Sequence, residues 1–75
     1  MSDAVSDATN LRVELLKLNK RQVDLLQEIN SRNLGYTVTT TDVSYALKGL
    51  LRPKYDKIRA DSEMIIREWK AASTP

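Results

Sequence analysis

Val38-Thr39-Thr40-Thr41-Asp42-Val43-Ser44-Tyr45-Ala46-Leu47-Lys48-Gly49 is the stretch that decides how this chain folds. With Thr39 as N-cap, its hydroxyl oxygen accepts from the Asp42 amide three residues on, and the Asp42 carboxylate accepts from the Thr39 amide in return. Val38 and Val43 then stand where a hydrophobic staple closes. The pattern predicts a helix over about 40–48, with Val43, Ala46 and Leu47 on one face and Thr40, Thr41, Ser44, Tyr45 and Lys48 on the other. Gly49 supplies the left-handed residue that stops it. Such a helix is held by a scaffold on one side and presents hydroxyls, a phenol and an ammonium on the other.

Working outward, two helices precede it and one follows. Leu11, Val13, Leu15, Leu16 and Leu18 sit among helix formers and predict a first helix over about 8–18, with Asp7, Thr9 or Asn10 as its cap. Asn19-Lys20-Arg21-Gln22 has capping-box spacing, and Val23, Leu25, Leu26 and Ile29 follow at helical intervals, so a second helix is expected over about 20–33. Gly35-Tyr36-Thr37-Val38 prefers extended backbone, and no partner strand for it is visible. After Gly49, Leu50-Leu51-Arg52 is read as a turn carrying its apolar side chains inward. Pro53 opens a long final helix over about 53–71, in which Tyr55, Ile58, Ser62, Ile65 and Trp69 recur every three or four residues. A break at Asp61-Ser62 is the alternative, since both residues favour caps over helix interiors. The second half of that helix packs on the first helix, or leaves Met64, Ile65 and Trp69 as a self-association surface. Residues 1–6 are expected to be disordered and 7–72 to form one all-α domain, a compact bundle of four to five helices.

Composition removes several classes of function. The 75 residues contain no cysteine and no histidine, so disulfides, thiolate metal sites and the commonest general base are absent. No apolar run is long enough to span a bilayer, and the polar start is not a signal peptide, which makes a cytoplasmic protein the expectation. Asp24 and Glu28 stand one helical turn apart opposite an apolar stripe, the usual arrangement of a solvated face. Ser44 and Lys48 share that spacing, but a serine-lysine dyad needs a desolvated lysine and an oxyanion pocket. The glycines at 35 and 49 are too far apart for a phosphate loop. No enzyme, metal or cofactor is expected.

The net charge of +2 conceals a gradient, because residues 11–59 hold ten Lys or Arg against five Asp or Glu. Lys48, Arg52, Lys54, Lys57 and Arg59 follow the opening stretch, and Lys17, Lys20 and Arg21 come before it. Like charge gathered this way either solvates an ordinary surface or meets a polyanion. A B-DNA major groove admits one helix, whose hydrogen-bonding side chains read base edges while neighbouring elements hold phosphates. Thr40, Thr41, Ser44 and Tyr45 are such a set, and the amides at the start of helix two, with Lys20, Arg21 and Gln22, suit a phosphate.

Helix one, then Gln22-Val23-Asp24-Leu25-Leu26-Gln27-Glu28-Ile29, then the capped helix that runs from Val38-Thr39 to Leu47-Lys48-Gly49, resembles the helix-turn-helix domains of Cro and C1 repressors of phages and mobile elements. The resemblance covers about residues 11–60. It implies a lambda-repressor-like bundle with the helix over 40–48 in the major groove, Gln22 on a phosphate, and Thr40, Thr41 and Tyr45 as base readers beside Ser44 and Lys48. Phosphate contacts are expected from Lys20, Arg21, Gln22, Lys48, Arg52 and Lys54. The expected protein is therefore a transcriptional regulator in a bacterial host cytoplasm that binds a double-stranded operator, as a homodimer. The alternative is an antirepressor or modulator that uses the same scaffold to bind a partner repressor.

Overall fold

Apolar residues at helical spacing fold the chain into four helices in a computed structural model that describes residues 4–73: α1 (Ala4–Lys17), α2 (Gln22–Arg32), α3 (Thr40–Ala46) and α4 (Pro53–Ser73). Among the described residues there is no strand. The 21 residues of α4 span about 31 Å at 1.5 Å per residue, most of the 37 Å longest dimension of the molecule. That helix is the strut against which α1, α2 and α3 all pack. Ile58, Ile65 and Ile66 of α4 meet Leu11 and Leu15 of α1, Leu25 and Ile29 of α2, and Val43, Ala46 and Leu47 of the α3 segment in one core. Val38 and Val43, the expected staple, are both buried there. Leu26 and Leu18 pack on its edge.

Several boundaries differ from the expectation, each for a physical reason. The first helix begins at Ala4, so residues 4–6 are helical rather than disordered, while 1–3 lie outside the described residues. Asn19 does not cap α2. It takes the left-handed conformation (φ 57°) and closes α1, with the Asn19 amide donating to the Leu16 carbonyl and the Lys20 amide to the Leu15 carbonyl. This is a Schellman ending, for which Asn is the usual substitute for Gly. Helix α2 therefore starts two residues later than expected, capped by Arg21. Arginine has no side-chain acceptor, so only half of a capping box forms, the Arg21 amide donating to Asp24 Oδ2 at 2.8 Å. Helix α4 runs through Asp61-Ser62 without a break. Ser62 is fully buried there, and its hydroxyl has no hydrogen-bond partner among the described residues. Leu50 and Leu51 turn outward rather than inward, Leu51 being 77% exposed.

Gly49 explains why α1 starts early. The Gly49 amide donates to the Ala46 carbonyl and the Leu50 amide to the Tyr45 carbonyl, a second Schellman ending with Gly49 at φ 89°. A Cβ on this residue would stand 2.8 Å from the Val5 Cα and 2.9 Å from Val5 Cγ2, so the glycine is both the stop of α3 and the seat of the first turn of α1. Gly49→Ala is expected to cost about 2–4 kcal/mol, from the left-handed backbone and the collision with Val5 together, measured by urea unfolding. A loss below about 1 kcal/mol, less than the left-handed backbone alone should cost, would show that the first turn of α1 does not rest on this glycine.

Candidate nucleic-acid interface

The seven residues of α3 are too few to be stable as an isolated helix, so its ends must be satisfied from outside its own ladder. At the N-terminus the capping box is complete. The Asp42 amide donates to Thr39 Oγ1 at 3.2 Å and the Thr39 amide to Asp42 Oδ2 at 3.0 Å. Lys54, from the first turn of α4, adds an ion pair to the same oxygen at 3.0 Å. The Thr39 amide first, and Lys54 next, hold the Asp42 carboxyl below its ordinary range.

At the C-terminus the free carbonyls meet a buried cation. Arg59 of α4 is 6% exposed and donates from Nη1 to the carbonyls of Ala46 at 2.9 Å and Leu50 at 3.0 Å. Its Nη2 pairs with Asp56. The sequence placed Arg59 in the basic surface cluster; it is instead a clamp on the end of α3, where the helix carries partial negative charge. Between these two grips Tyr55 meets Tyr45 edge to face, ring centroids 6.0 Å apart at 82°.

The connection from α2 to α3 is held by side chains that sequence reasoning missed. Asn30 straddles Val38: the Val38 amide donates to Asn30 Oδ1 at 2.8 Å, and Asn30 Nδ2 donates to the Val38 carbonyl at 3.0 Å. A side-chain amide thus does for an extended residue what a neighbouring strand would do. Tyr36 donates its hydroxyl to Asp61 Oδ2 at 2.7 Å, and the Lys57 ammonium lies 5.1 Å from its ring centre. Burial first, and then the Asp61 bond, push the Tyr36 phenol upward, so it stays protonated. The left-handed Asn33 and the positive-φ Gly35 begin this turn. Only the spacing of Asn30 from an extended β-branched residue hinted at the first of these contacts, and nothing local indicated the second.

With α3 so placed, its outward face is the expected one. Thr40 and Thr41 are exposed, Ser44 is half-buried, and Tyr45 is 38% exposed with the Lys48 ammonium 5.7 Å from its ring centre. Lys48 lies in the turn after the helix, which ends at Ala46, two residues before the expected limit. Arg52 is exposed in the loop that follows, and Arg21 and Gln22 are exposed at the start of α2. Neither Lys48, Arg52 nor Arg21 has an ion-pair partner among the described residues. Lys54 stands apart from them because Asp42 holds it. Lys20, which precedes Arg21 in the chain, is drawn toward the far part of α4, its ammonium 5.0 Å above the Trp69 ring. Of the expected self-association residues, Met64 is exposed, Trp69 is half-buried beneath Lys20, and Ile65 is fully buried in the core and has no surface to offer.

Asp24 holds the Arg21 amide, and Glu28 pairs with Arg32, which also reaches Glu68 of α4 at 2.6 Å. These carboxylates are structural. No group of three acidic, histidine or cysteine side chains among the described residues is placed to hold a metal, and no helix among them is long and apolar enough to cross a membrane. A groove of about 620 Å³ runs between α1 and α4, with Leu11, Leu51 and Ile66 along its apolar lining. Its charged rim is largely paired within itself, Glu14 with Lys70 and Glu63 with Arg67. Comparison with protein-family models, with curated proteins and with solved structures finds no match to this chain.

A lowered carboxyl pKa contributes stability that is present above the unfolded value and is lost as the pH falls through the folded one. Asp42→Asn is therefore expected to lower stability by about 1 kcal/mol at pH 7. The difference from the unsubstituted protein should begin to shrink as the pH falls through about 4, the ordinary carboxyl value, and close only below the lower folded value, where that carboxyl is protonated in both states. Thermal melts of both proteins across that range check this, and a pH-independent difference would contradict it.

Proposed function

We propose that this chain is a sequence-specific DNA-binding regulator of the helix-turn-helix, lambda-repressor-like type, encoded by a phage or mobile element and acting in the bacterial cytoplasm. The observation that carries this is the outward face of α3. Thr40, Thr41, Ser44 and Tyr45 stand near the cations Lys48 and Arg52, which have no ion pair among the described residues, and Asp42, the one acid of the helix, is neutralised by Lys54. A surface of hydroxyls and cations without a free carboxylate suits base edges and phosphates. In this reading α3 lies in the major groove, Gln22 and Arg21 bind phosphate from the start of α2, and Arg52 and Lys48 bind it from the end of α3. Lys54 acts mainly by orienting α3, and Lys20 sits too close to Trp69 to be a principal phosphate ligand. A seven-residue reading helix covers only a few base pairs, so specific binding calls for two copies on a symmetric operator. Catalysis has no part in this account.

A second reading is supported by the groove between α1 and α4 and by the exposure of Leu16 at 78% and Leu51 at 77%. Apolar side chains so exposed are suited to a protein partner, and the same scaffold would then act as a modulator of a repressor.

Duplexes selected from a randomised pool separate the two. Thr41→Ala is expected to change preference at one base pair by about 1–3 kcal/mol, while Arg52→Ala weakens binding to all sequences and reduces the salt slope by about 1. Failure to enrich any sequence, together with salt-insensitive binding, would contradict the DNA reading. Capture of a repressor encoded at the same locus would favour the second.

A further inference from the structure

Tyr45 stands on the outward face of α3, yet its ring orientation is decided from another helix. A free tyrosine side chain on a seven-residue helix has two torsions to settle and would lose that freedom on binding. Here the ring meets Tyr55 at 82° with centroids 6.0 Å apart, and the Lys48 ammonium lies 5.7 Å from its centre. Edge-to-face geometry at this distance is the favoured arrangement of aromatic pairs, and the ammonium is within cation–π range.

Tyr55 is itself well anchored. It is half-buried against the core, one turn from Ile58 and next to Lys54, which is paired with Asp42 at 3.0 Å. Pro53, the first residue of α4, fixes the backbone just before it. The anchor and the reading helix are therefore fixed to each other at three consecutive levels: Lys54 on Asp42, Tyr55 on Tyr45, Arg59 on the Ala46 carbonyl.

We propose that Tyr55 is a positioning residue for sequence discrimination, holding the Tyr45 ring and the Lys48 ammonium as one preset unit that meets a thymine through its methyl group, with the ammonium on an adjacent acceptor or phosphate. An aromatic edge beside a cation matches the apolar methyl and the O4 acceptor that thymine alone displays in the major groove. The unit costs little to bind because its torsions are already settled. The inference rests on the DNA-binding reading and adds to it a residue that touches no base.

The test uses the full chain and two duplexes of equal length, one selected from a randomised pool and one scrambled. Tyr55→Leu, which keeps an apolar side chain on the core, is expected to reduce the selected-to-scrambled affinity ratio by about three- to tenfold. Tyr55→Phe keeps the ring and should keep the ratio. Tyr45→Leu should lower the ratio similarly, and the Tyr45→Leu/Tyr55→Leu double variant should be no worse than Tyr45→Leu alone, since the two act as one unit. Affinity for the scrambled duplex and its salt slope should not move, whereas a general loss of folding would change both. A Tyr55→Leu protein that discriminates as well as the unsubstituted one, or losses that add in the double variant, overturns the inference and leaves DNA binding standing. An unsubstituted protein that does not discriminate overturns the DNA reading and the inference together. Should Tyr55→Leu fail to fold, magnetisation transfer between the two tyrosine rings in the DNA-bound unsubstituted protein decides, and its absence there overturns the inference.

Discussion

The molecule depends on one contact that an isolated α3 could not supply for itself. Arg59 reaches from α4 to the carbonyls of Ala46 and Leu50, the end of a helix only seven residues long. A guanidinium of which 6% is exposed is tolerable because three partners share it: two carbonyls and the Asp56 carboxylate. Hydrogen bonds from a charged donor are among the stronger ones in proteins, about 1.5–3 kcal/mol each. Once the end of α3 is pinned, Gly49 can turn the chain under Val5, and Leu50-Leu51-Arg52 can swing outward to begin α4.

Much of α3 is legible in the sequence because it is specified within the twelve residues from Val38 to Gly49. The Thr39–Asp42 capping box, the Val38–Val43 staple and the Gly49 stop are all local devices; the box and the stop form as their residue types require, and both valines are buried in the core. The contacts that escaped notice join residues distant in sequence. Arg59 lies 13 residues from Ala46, and Tyr36 lies 25 from Asp61. No local pattern distinguishes an arginine that clamps a helix end from one that faces water, and so Arg59 was grouped with its charged neighbours. Asn19 misled for a different reason. Asparagine serves both as N-cap and as left-handed C-terminal residue, and the short link between α1 and α2 left both roles open.

The placement of the polar face followed from the same local logic, but its support did not. That Thr41 and Tyr45 face away from Val43, Ala46 and Leu47 is a consequence of helical spacing alone, whereas Thr40 is exposed as the first residue of the helix and Ser44 lies half-buried at the edge of the apolar face. That Lys54 and Tyr55 hold Asp42 and Tyr45 depends on how α4 crosses α3, which periodicity cannot give. The connection from α2 to α3 is held in a similar way. Asn30 binds both backbone groups of Val38, and Tyr36 is tied to Asp61, so the segment between α2 and α3 is held at two points. Charge behaves as composition implied only in part. Arg59 is internal, Lys54 is paired, and Lys20 covers Trp69, leaving Lys48 over the Tyr45 ring and Arg52 in the loop after α3 without an ion pair among the described residues.

The central claim is that this polar face, and not the groove between α1 and α4, is where the protein meets its partner. Amide chemical-shift mapping during titration with duplex DNA addresses it directly. The account predicts that the largest shifts fall at Thr40, Thr41, Ser44, Tyr45, Lys48, Arg52 and at Arg21 and Gln22, and that they weaken as salt is raised. Shifts confined to Asn10, Leu11, Leu51 and Ile66 along the groove, or no shifts at all, would contradict it.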